Sequence, residues 1–380
     1  MARSMDFCVF SVLVTGSDRG IGLGLVKRFL ELPCPPKWVF ATTLDLEGEE
    51  TKELRELACK HPNLVMLQLD VTNLEGIQAA QKEVQKCVGE GIPTPTEEGI
   101  PEKPMSRAEL HRLEAEAAAP REMAKPMDFC VFSVLVTGSN QGIGLGLVKR
   151  FLELPFPPKW VFATTLDLEG ENNQELRELV CKYPNLVVLQ LDVTNLESIQ
   201  AALKEVQKCV GEGGLTILIN NAGTWAFNDL QTENAKDMMR VYSVDVIGTL
   251  QMSQAFLPLL KKAARRSPCQ GLSSSKAAII NISSNGGSIE LVAYWDQYKI
   301  IGYRCAKAAL NMLTKCQSLE YPAEGIMSIA IHPGSVETAD NPNPEISVEE
   351  STQGIMTVLS KLCEEDNGTF VDWLGRPIPW

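Results

Sequence analysis

The sequence predicts an α/β protein. Its core is a doubly wound parallel sheet with helices on both faces, preceded by a partial repeat of the same fold. Three observations carry this. Through residues 127–380, apolar runs of strand length alternate with longer amphipathic runs of helix length. The strand runs are apolar almost throughout, as strands covered on both faces are. Finally, residues 5–91 reappear without a gap as residues 127–213, differing at eleven positions that include Asp18/Asn140, Arg19/Gln141, Cys34/Phe156 and His61/Tyr183.

In the second copy the pattern predicts strands at 130–137, 160–165, 186–192 and 216–220, with helices at 143–154, 174–181 and 196–210 between them. Helices near 232–263, a strand near 277–283, a helix near 301–320 and a strand near 326–332 follow. The short connections suit right-handed crossovers. The first copy can supply three strands and three helices. After Gly91 it enters GIPTPTEEGIPEKP, a linker composition, and then an Ala/Glu-rich stretch, 106–119, that reads as a short helix. The expected organisation is therefore a truncated duplicate of a dinucleotide-binding half at 1–91, a linker at 92–126 and a complete domain at 127–380. The first copy lacks the strand that should pair with its first strand, which leaves an open edge.

Composition narrows the function. The 380 residues carry a net charge of −13 and no basic run, which argues against nucleic acid and anionic membrane as partners. Three scattered histidines and eleven cysteines without a CxxC pair argue against a metal site. The cysteines, Cys130, Cys181, Cys209 and Cys305 among them, are expected to be reduced and packed as small hydrophobes in a cytoplasmic protein. The apolar stretch at 7–14 could pass for a short signal peptide, but it recurs at 129–136 and runs into a glycine-rich turn both times. It reads as a buried strand. No apolar run approaches the roughly 18 residues that span a bilayer.

Thr137-Gly138-Ser139-Asn140-Gln141-Gly142-Ile143-Gly144 follows the first strand of the second copy and opens its first helix. Glycines there let the backbone turn tightly and approach a pyrophosphate, and the helix N-terminus offers free N–H groups. This is the setting of a Rossmann-type dinucleotide site. At the end of the next strand an acid would bond a ribose 2′-hydroxyl and an arginine a 2′-phosphate. Thr165 stands where the acid is expected, which leans toward NADP(H) over NAD(H); the absence of an arginine weakens that lean. Asp167 reads equally as a turn residue or a ribose contact. The first copy has Arg19 where the second has Gln141.

Tyr303 and Lys307, four apart on a predicted helix, share one face. An ammonium beside a phenol favours the phenolate and turns a poor acid/base into a useful one. Tyr303 could then donate a proton to a carbonyl oxygen that receives hydride. Ser283-Ser284 ends an apolar strand, where a hydroxyl faces the ligand crevice of an open parallel sheet.

Together these pieces resemble the short-chain dehydrogenase/reductase family over essentially all of residues 127–380. The matching pieces are TGSNQGIG at 137–144, Asp192-Val193, Asn220-Asn221-Ala222-Gly223, Ser284, Tyr303 with Lys307, and Pro333-Gly334 followed by Thr338. YRCAKAALNMLT, HPGSVETAD and the ending NGTFVDWLGRPIPW are similar to the small carbonyl-reductase branch that contains Sniffer and the bacterial C-factor proteins. The resemblance implies roles. Asp192 and Val193 would contact adenine, and Asn221, Ala222 and Gly223 would line the adenosine and ribose side. Thr338 and the backbone near Val336 would hold the nicotinamide carboxamide. Ser284 (chosen over Ser283) would position the substrate, Tyr303 would be the general acid/base, and Lys307 would orient the ribose and tune Tyr303.

One position departs from the family. Asp245 occupies the first place of a short motif where the family usually has asparagine, which helps to hold a proton-relaying water. A carboxylate there could pair with Lys307. The expected activity is an NAD(P)-dependent oxidoreductase acting on a small carbonyl substrate, with a homodimer as the expected assembly. Trp225 and the 285–299 loop with Tyr294 and Trp295 are expected to wall the substrate. The alternative is a catalytically weak dinucleotide-binding scaffold or regulatory protein. The first copy reads either as a regulator or as a duplicated segment without function.

Overall fold

The computed structural model describes residues 9–89 and 129–380, apart from 171 (side chain), 294, 296, 297, 339, 340, 342 and 343. The expected linker, the 106–119 helix and Tyr294 lie outside the described residues. The chain divides into an N-terminal and a C-terminal compact unit. Among the described residues no helix is long and apolar enough to cross a membrane.

The N-terminal unit alternates β1 (Ser11–Val14), α1 (Gly20–Leu30), β2 (Trp38–Thr43), α2 (Lys52–Lys60), β3 (Leu64–Gln68) and α3 (Leu74–Val88). Its strands form a parallel sheet in the order β1-β2-β3. Val26, Val39, Ala41 and Leu54 form a small core. Among the described residues β1 pairs with β2 alone, and Leu13 is 44% exposed.

The C-terminal unit runs β4 (Ser133–Val136), α4 (Gly142–Leu152), β5 (Trp160–Thr165), α5 (Gln174–Lys182), β6 (Leu186–Gln190), α6 (Leu196–Val210), β7 (Ile217–Asn220) and α7 (Ala235–Tyr242). A π-helical turn, Ser243–Gly248, leads into α8 (Thr249–Arg266). β8 (Ala278–Ile282), α9 (Ile301–Glu320), β9 (Met327–His332), α10 (Val348–Leu359) and β10 (Phe370–Asp372) complete it. The sheet is parallel, in the order β10-β9-β8-β7-β4-β5-β6.

Side chains alternate across the pleat, so each strand feeds two cores. Val134 and Val136 pack with Leu147, Phe151, Ile355 and Leu359 on one face. Leu135 packs with Ile199, Val206, Met252 and Phe256 on the other. That double burial is why the strands are apolar throughout. Each such side chain contributes about 1.5–3 kcal/mol on removal from water. β4, whose sequence SVLV is that of β1, is buried along its whole length because β7 closes its second edge, Val134 against Ile217 and Val136 against Ile219. The strand order reverses between β4 and β7, and the crevice at their carboxyl ends is where ligands bind such sheets.

The helices expected near 232–263 are α7 and α8, joined by the π turn. The expectation for the cysteines needs correction, because they are mostly not packed inside: Cys130, Cys181 and Cys305 are exposed and Cys209 is half-buried. They lie on the solvent side of their elements, where a small thiol is tolerated without being required. None of the described cysteines is in a disulfide.

Candidate active site

The glycine-rich turn between β4 and α4 bends through Gly138 and Gly142, whose φ angles are 62° and 53°. A side chain is strained at both. A Cβ on Gly144 would run into the Gly138 carbonyl and stand 2.6 Å from Asn221 Nδ2. Neighbouring strands strap the turn down. Gly138 N donates to Thr164 Oγ1 (3.1 Å) and Ser139 N to Thr164 O (2.7 Å). Asn221 Nδ2 donates to the carbonyls of Thr137 (2.9 Å) and Gly138 (3.0 Å), and the amides of Asn221 and Ala222 donate to Thr137 Oγ1. Among the described residues no side chain caps the first turn of α4, which leaves its amides available to a ligand.

These elements border a cleft of about 1100 Å³. It collects Gly138, Asn140, Gln141, Gly142, Ile143, Gly144, Thr165, Asp192, Val193, Asn221, Ala222, Gly223 and Thr338, all singled out from the sequence. Its described charged residues are Asp192, Arg240, Glu337 and Glu349. Thr165 keeps its hydroxyl on Asn173 Oδ1 (3.1 Å) and Asp167 O (3.3 Å). Asp167 does not line the cleft; its Oδ1 accepts from Glu169 N at 3.0 Å, the geometry of a turn residue. Asp192 Oδ1 accepts from the amide and hydroxyl of Thr194.

A second cavity, about 190 Å³, is bordered by Ser284, Tyr303, Trp225, His332, Pro333, Gly334 and Val336. Ile143 and Thr338 border both spaces. Ser284 Oγ accepts from Gly286 N at 3.1 Å and lies within hydrogen-bonding reach of the Tyr303 hydroxyl. Ser283 turns the other way and donates to Asn311 Oδ1 at 2.5 Å. The Trp225 ring meets the Tyr303 ring edge-on, with centroids 5.8 Å apart. Lys307 is buried beneath them. Its Nζ donates to Ile282 O (3.0 Å), pairs with Asp245 Oδ2 (3.0 Å) and stands 5.3 Å from the centre of the Tyr303 ring.

The π turn places Asp245 in that pair, and Thr224 N donates to its other oxygen at 2.8 Å. Single π turns recur at functional sites. Burial pushes the Asp245 carboxyl up, against the pull of Lys307 and the Thr224 amide. Burial alone would lower Lys307, but Asp245 and Tyr303 more than offset it, and the ammonium is held above its ordinary value. Burial raises the Tyr303 phenol; Lys307 and the Ser284 hydrogen bond lower it, while Asp245 adds to the rise. The net direction is up.

The structure thus gathers the glycine-turn, adenosine-side, carboxamide-side and catalytic residues expected from the sequence into two adjoining cavities or, for Asp245 and Lys307, beside Tyr303, whereas Asp167 and Trp295 border neither cavity. Sequence reasoning assigned no part to Arg240, whose guanidinium bonds Thr224 Oγ1 (2.6 Å) and Trp225 O (3.0 Å) at the cleft wall. It also assigned none to Arg304 and His332, although both stand inside quoted motifs. Among the described residues no three His, Cys, Asp or Glu side chains cluster as a metal site.

The fold and site define a class. A family model described as short chain dehydrogenase matches residues 133–345, more than half of the chain, and the chain belongs to that family. Among solved structures, an NADPH-bound carbonyl reductase from chicken fatty liver is 49% identical, with a TM-score of 0.64, covering 66% of this chain and all of that one. The carbonyl reductase Sniffer of D. melanogaster is 34% identical, with a TM-score of 0.63 and the same coverage. Mouse estradiol 17-beta-dehydrogenase 2 is 34% identical over 210 residues, 54% of this chain; the chain spans about half (48%) of that relative's length.

Proposed function

We propose that the C-terminal unit reduces small carbonyl compounds with NADPH in preference to NADH. One observation carries the reading: Ser284, Tyr303 and Lys307 converge beside the border that the dinucleotide-sized cleft shares with the smaller cavity. Bound in the cleft, the dinucleotide supplies the hydride. The turn at Gly138–Gly144 and the open amides of α4 suit its pyrophosphate, and Asp192, Val193, Asn221, Ala222 and Gly223 its adenosine side. Val336 and Thr338, with Pro333-Gly334, suit the carboxamide. In the smaller cavity Ser284 Oγ holds the substrate carbonyl oxygen and Tyr303 Oη donates the proton that neutralises it. Lys307, fixed by Ile282 O, keeps positive charge beneath the phenol.

The chicken enzyme's bound NADPH supports the cofactor choice. The absence of an acid at Thr165 leaves room for a 2′-phosphate. Arg240 is the one lysine or arginine in the described lining, and its guanidinium is engaged with Thr224 Oγ1 and Trp225 O, so discrimination against NADH is small. A second reading, a catalytically weak dinucleotide-binding protein, draws on the Asp245–Lys307 pair, which opposes activation of Tyr303.

The N-terminal unit has no counterpart of Ser284, Tyr303 or Lys307 and contributes no chemistry. It is proposed to be a duplicated segment. Limited proteolysis checks this: loss of residues 1–126 with full retention of activity is expected, and activity lost with them would make the unit a regulator. For the assembly we propose a homodimer through α9, whose outer face exposes Met312 and Leu319. The function itself is tested by following NADPH and NADH consumption against a panel of aldehydes, ketones and quinones; silence across the panel, with cofactor binding intact, would favour the second reading.

A further inference from the structure

The smaller cavity holds two buried polar atoms that the chemistry above does not use. Arg304, next in sequence to Tyr303, is only 9% exposed. Its Nη2 donates to Ala293 O (2.7 Å) and Tyr298 O (2.6 Å), and its Nε to Tyr298 O (3.1 Å). Its Nη1 is shielded from water and has no hydrogen-bond partner among the described residues. The Trp295 ring centre lies 5.6 Å from the guanidinium carbon. His332 Nδ1, also shielded, has none among them either. An unmade hydrogen bond on a buried group costs roughly 1–3 kcal/mol, and more when the group is charged. Native structures leave few such groups, and each calls for a physical reason such as a functional role or a bound water or ion.

The setting favours a negative ligand. Arg304 is the only charged side chain among the described residues lining this cavity, in a chain of net charge −13. His332 is neutral over the physiological range, since burial pulls its pKa down to about 3. Gly286 leaves the space open. A Cβ there would stand 3.3 Å from Ser284 Oγ and 3.9 Å from Arg304 Nη1, so one small space touches both groups.

We infer that Arg304 Nη1 binds a carboxylate of the substrate, and that this enzyme prefers carbonyl compounds bearing a carboxylate a few bonds from the reacting carbon. The inference rests on the reading that Ser284 and Tyr303 hold the carbonyl. With the carbonyl on Ser284, the space beside Gly286 brings a neighbouring carboxylate to Nη1. A compact molecule, such as a 2-oxo acid or an ortho-acyl benzoate, suits a cavity of about 190 Å³. Hydrogen bonds to an ionised group in a dry site are the strong ones, so a single guanidinium can set the preference.

The test compares 2-formylbenzoate with its methyl ester on the full chain, Arg304→Gln and Arg304→Lys. The wild type is expected to favour the acid by about tenfold or more in kcat/KM. Arg304→Gln should abolish that preference, lowering kcat/KM for the acid, chiefly through KM, by about tenfold more than for the ester. Arg304→Lys should keep part of it. Preference for the ester in the wild type, a preference that survives Arg304→Gln, or equal loss on both substrates would overturn the inference; the last would mean that Arg304 only braces the loop at Ala293 and Tyr298. Calorimetric titration with benzoate separates this from the reductase reading. Benzoate binding that weakens about tenfold in Arg304→Gln, with neither substrate reduced, would leave the carboxylate site standing and sink the reductase. Benzoate binding that is absent, or equal in both proteins, would sink the site whatever the turnover.

Discussion

Asp245 and Lys307 form a buried ion pair, Oδ2 to Nζ 3.0 Å, directly beneath the ring of Tyr303. Both side chains are almost fully shielded from water. Breaking such a pair by deleting one partner would strand a buried charge, at roughly 3–5 kcal/mol. Exchange for asparagine is gentler, because its amide oxygen still accepts from the Thr224 amide and Lys307 keeps the Ile282 carbonyl as an acceptor.

Asp245→Asn is therefore expected to release Lys307 toward Tyr303. Removing the carboxylate takes away a contribution that raises the phenol, so the basic limb of the kcat/KM profile should move about one pH unit toward acid. Turnover at neutral pH should rise about tenfold. A pH–rate profile reads both. An unchanged profile would mean that the pair does not govern Tyr303.

Cofactor choice offers a substitution that the chain itself suggests. In the N-terminal copy Arg19 is paired with Glu50 at 3.1 Å, both exposed. In the C-terminal copy Gln141 and Asn172 replace them. Gln141→Arg would place a guanidinium at the cleft with no glutamate at position 172 to occupy it. NADPH affinity should rise about tenfold and NADH affinity stay within about twofold, as a charge-assisted contact to phosphate requires. Fluorescence titration of each dinucleotide checks this, and equal gains for both would place the 2′-phosphate elsewhere.

His332 predicts the acid behaviour of the fold. Its folded pKa is about 3, against an ordinary value of 6.5. As pH falls through 6.5 the unfolded chain takes up a proton that the folded chain refuses, so stability falls with pH across that window. The slope from this residue is at most about 1.4 kcal/mol per pH unit. His332→Asn should flatten the wild-type decline between pH 6.5 and 3 in denaturant unfolding. Equal slopes in the two proteins would mean that the imidazole titrates freely.

Much of this was legible in the sequence because it is local. The repeat is read from identity between 5–91 and 127–213, and the glycine turn and the Tyr303–Lys307 spacing each sit in one stretch of chain whose geometry follows from turn or helix periodicity. What was not legible depends on distant partners. The different orientations of Ser283 and Ser284 follow from Asn311, 28 residues from Ser283. The spare Nη1 of Arg304 emerges only once Ala293 and Tyr298 have taken Nε and Nη2. The sequence reading stops short of α10 and β10, although α10 covers α4 and β10 closes the sheet edge beside β9. The π turn at Asp245 leaves no mark in hydrophobic periodicity, and surface thiols such as Cys305 look like core residues when only composition is read.

The most direct measurement is carbonyl reduction by the intact chain beside Tyr303→Phe, with NADPH binding followed separately. If Tyr303 is the proton donor, the variant should bind NADPH within about twofold of wild type and lose at least about a hundredfold in kcat, the scale of one general-acid group. Turnover that survives in Tyr303→Phe with unchanged pH dependence would contradict the account.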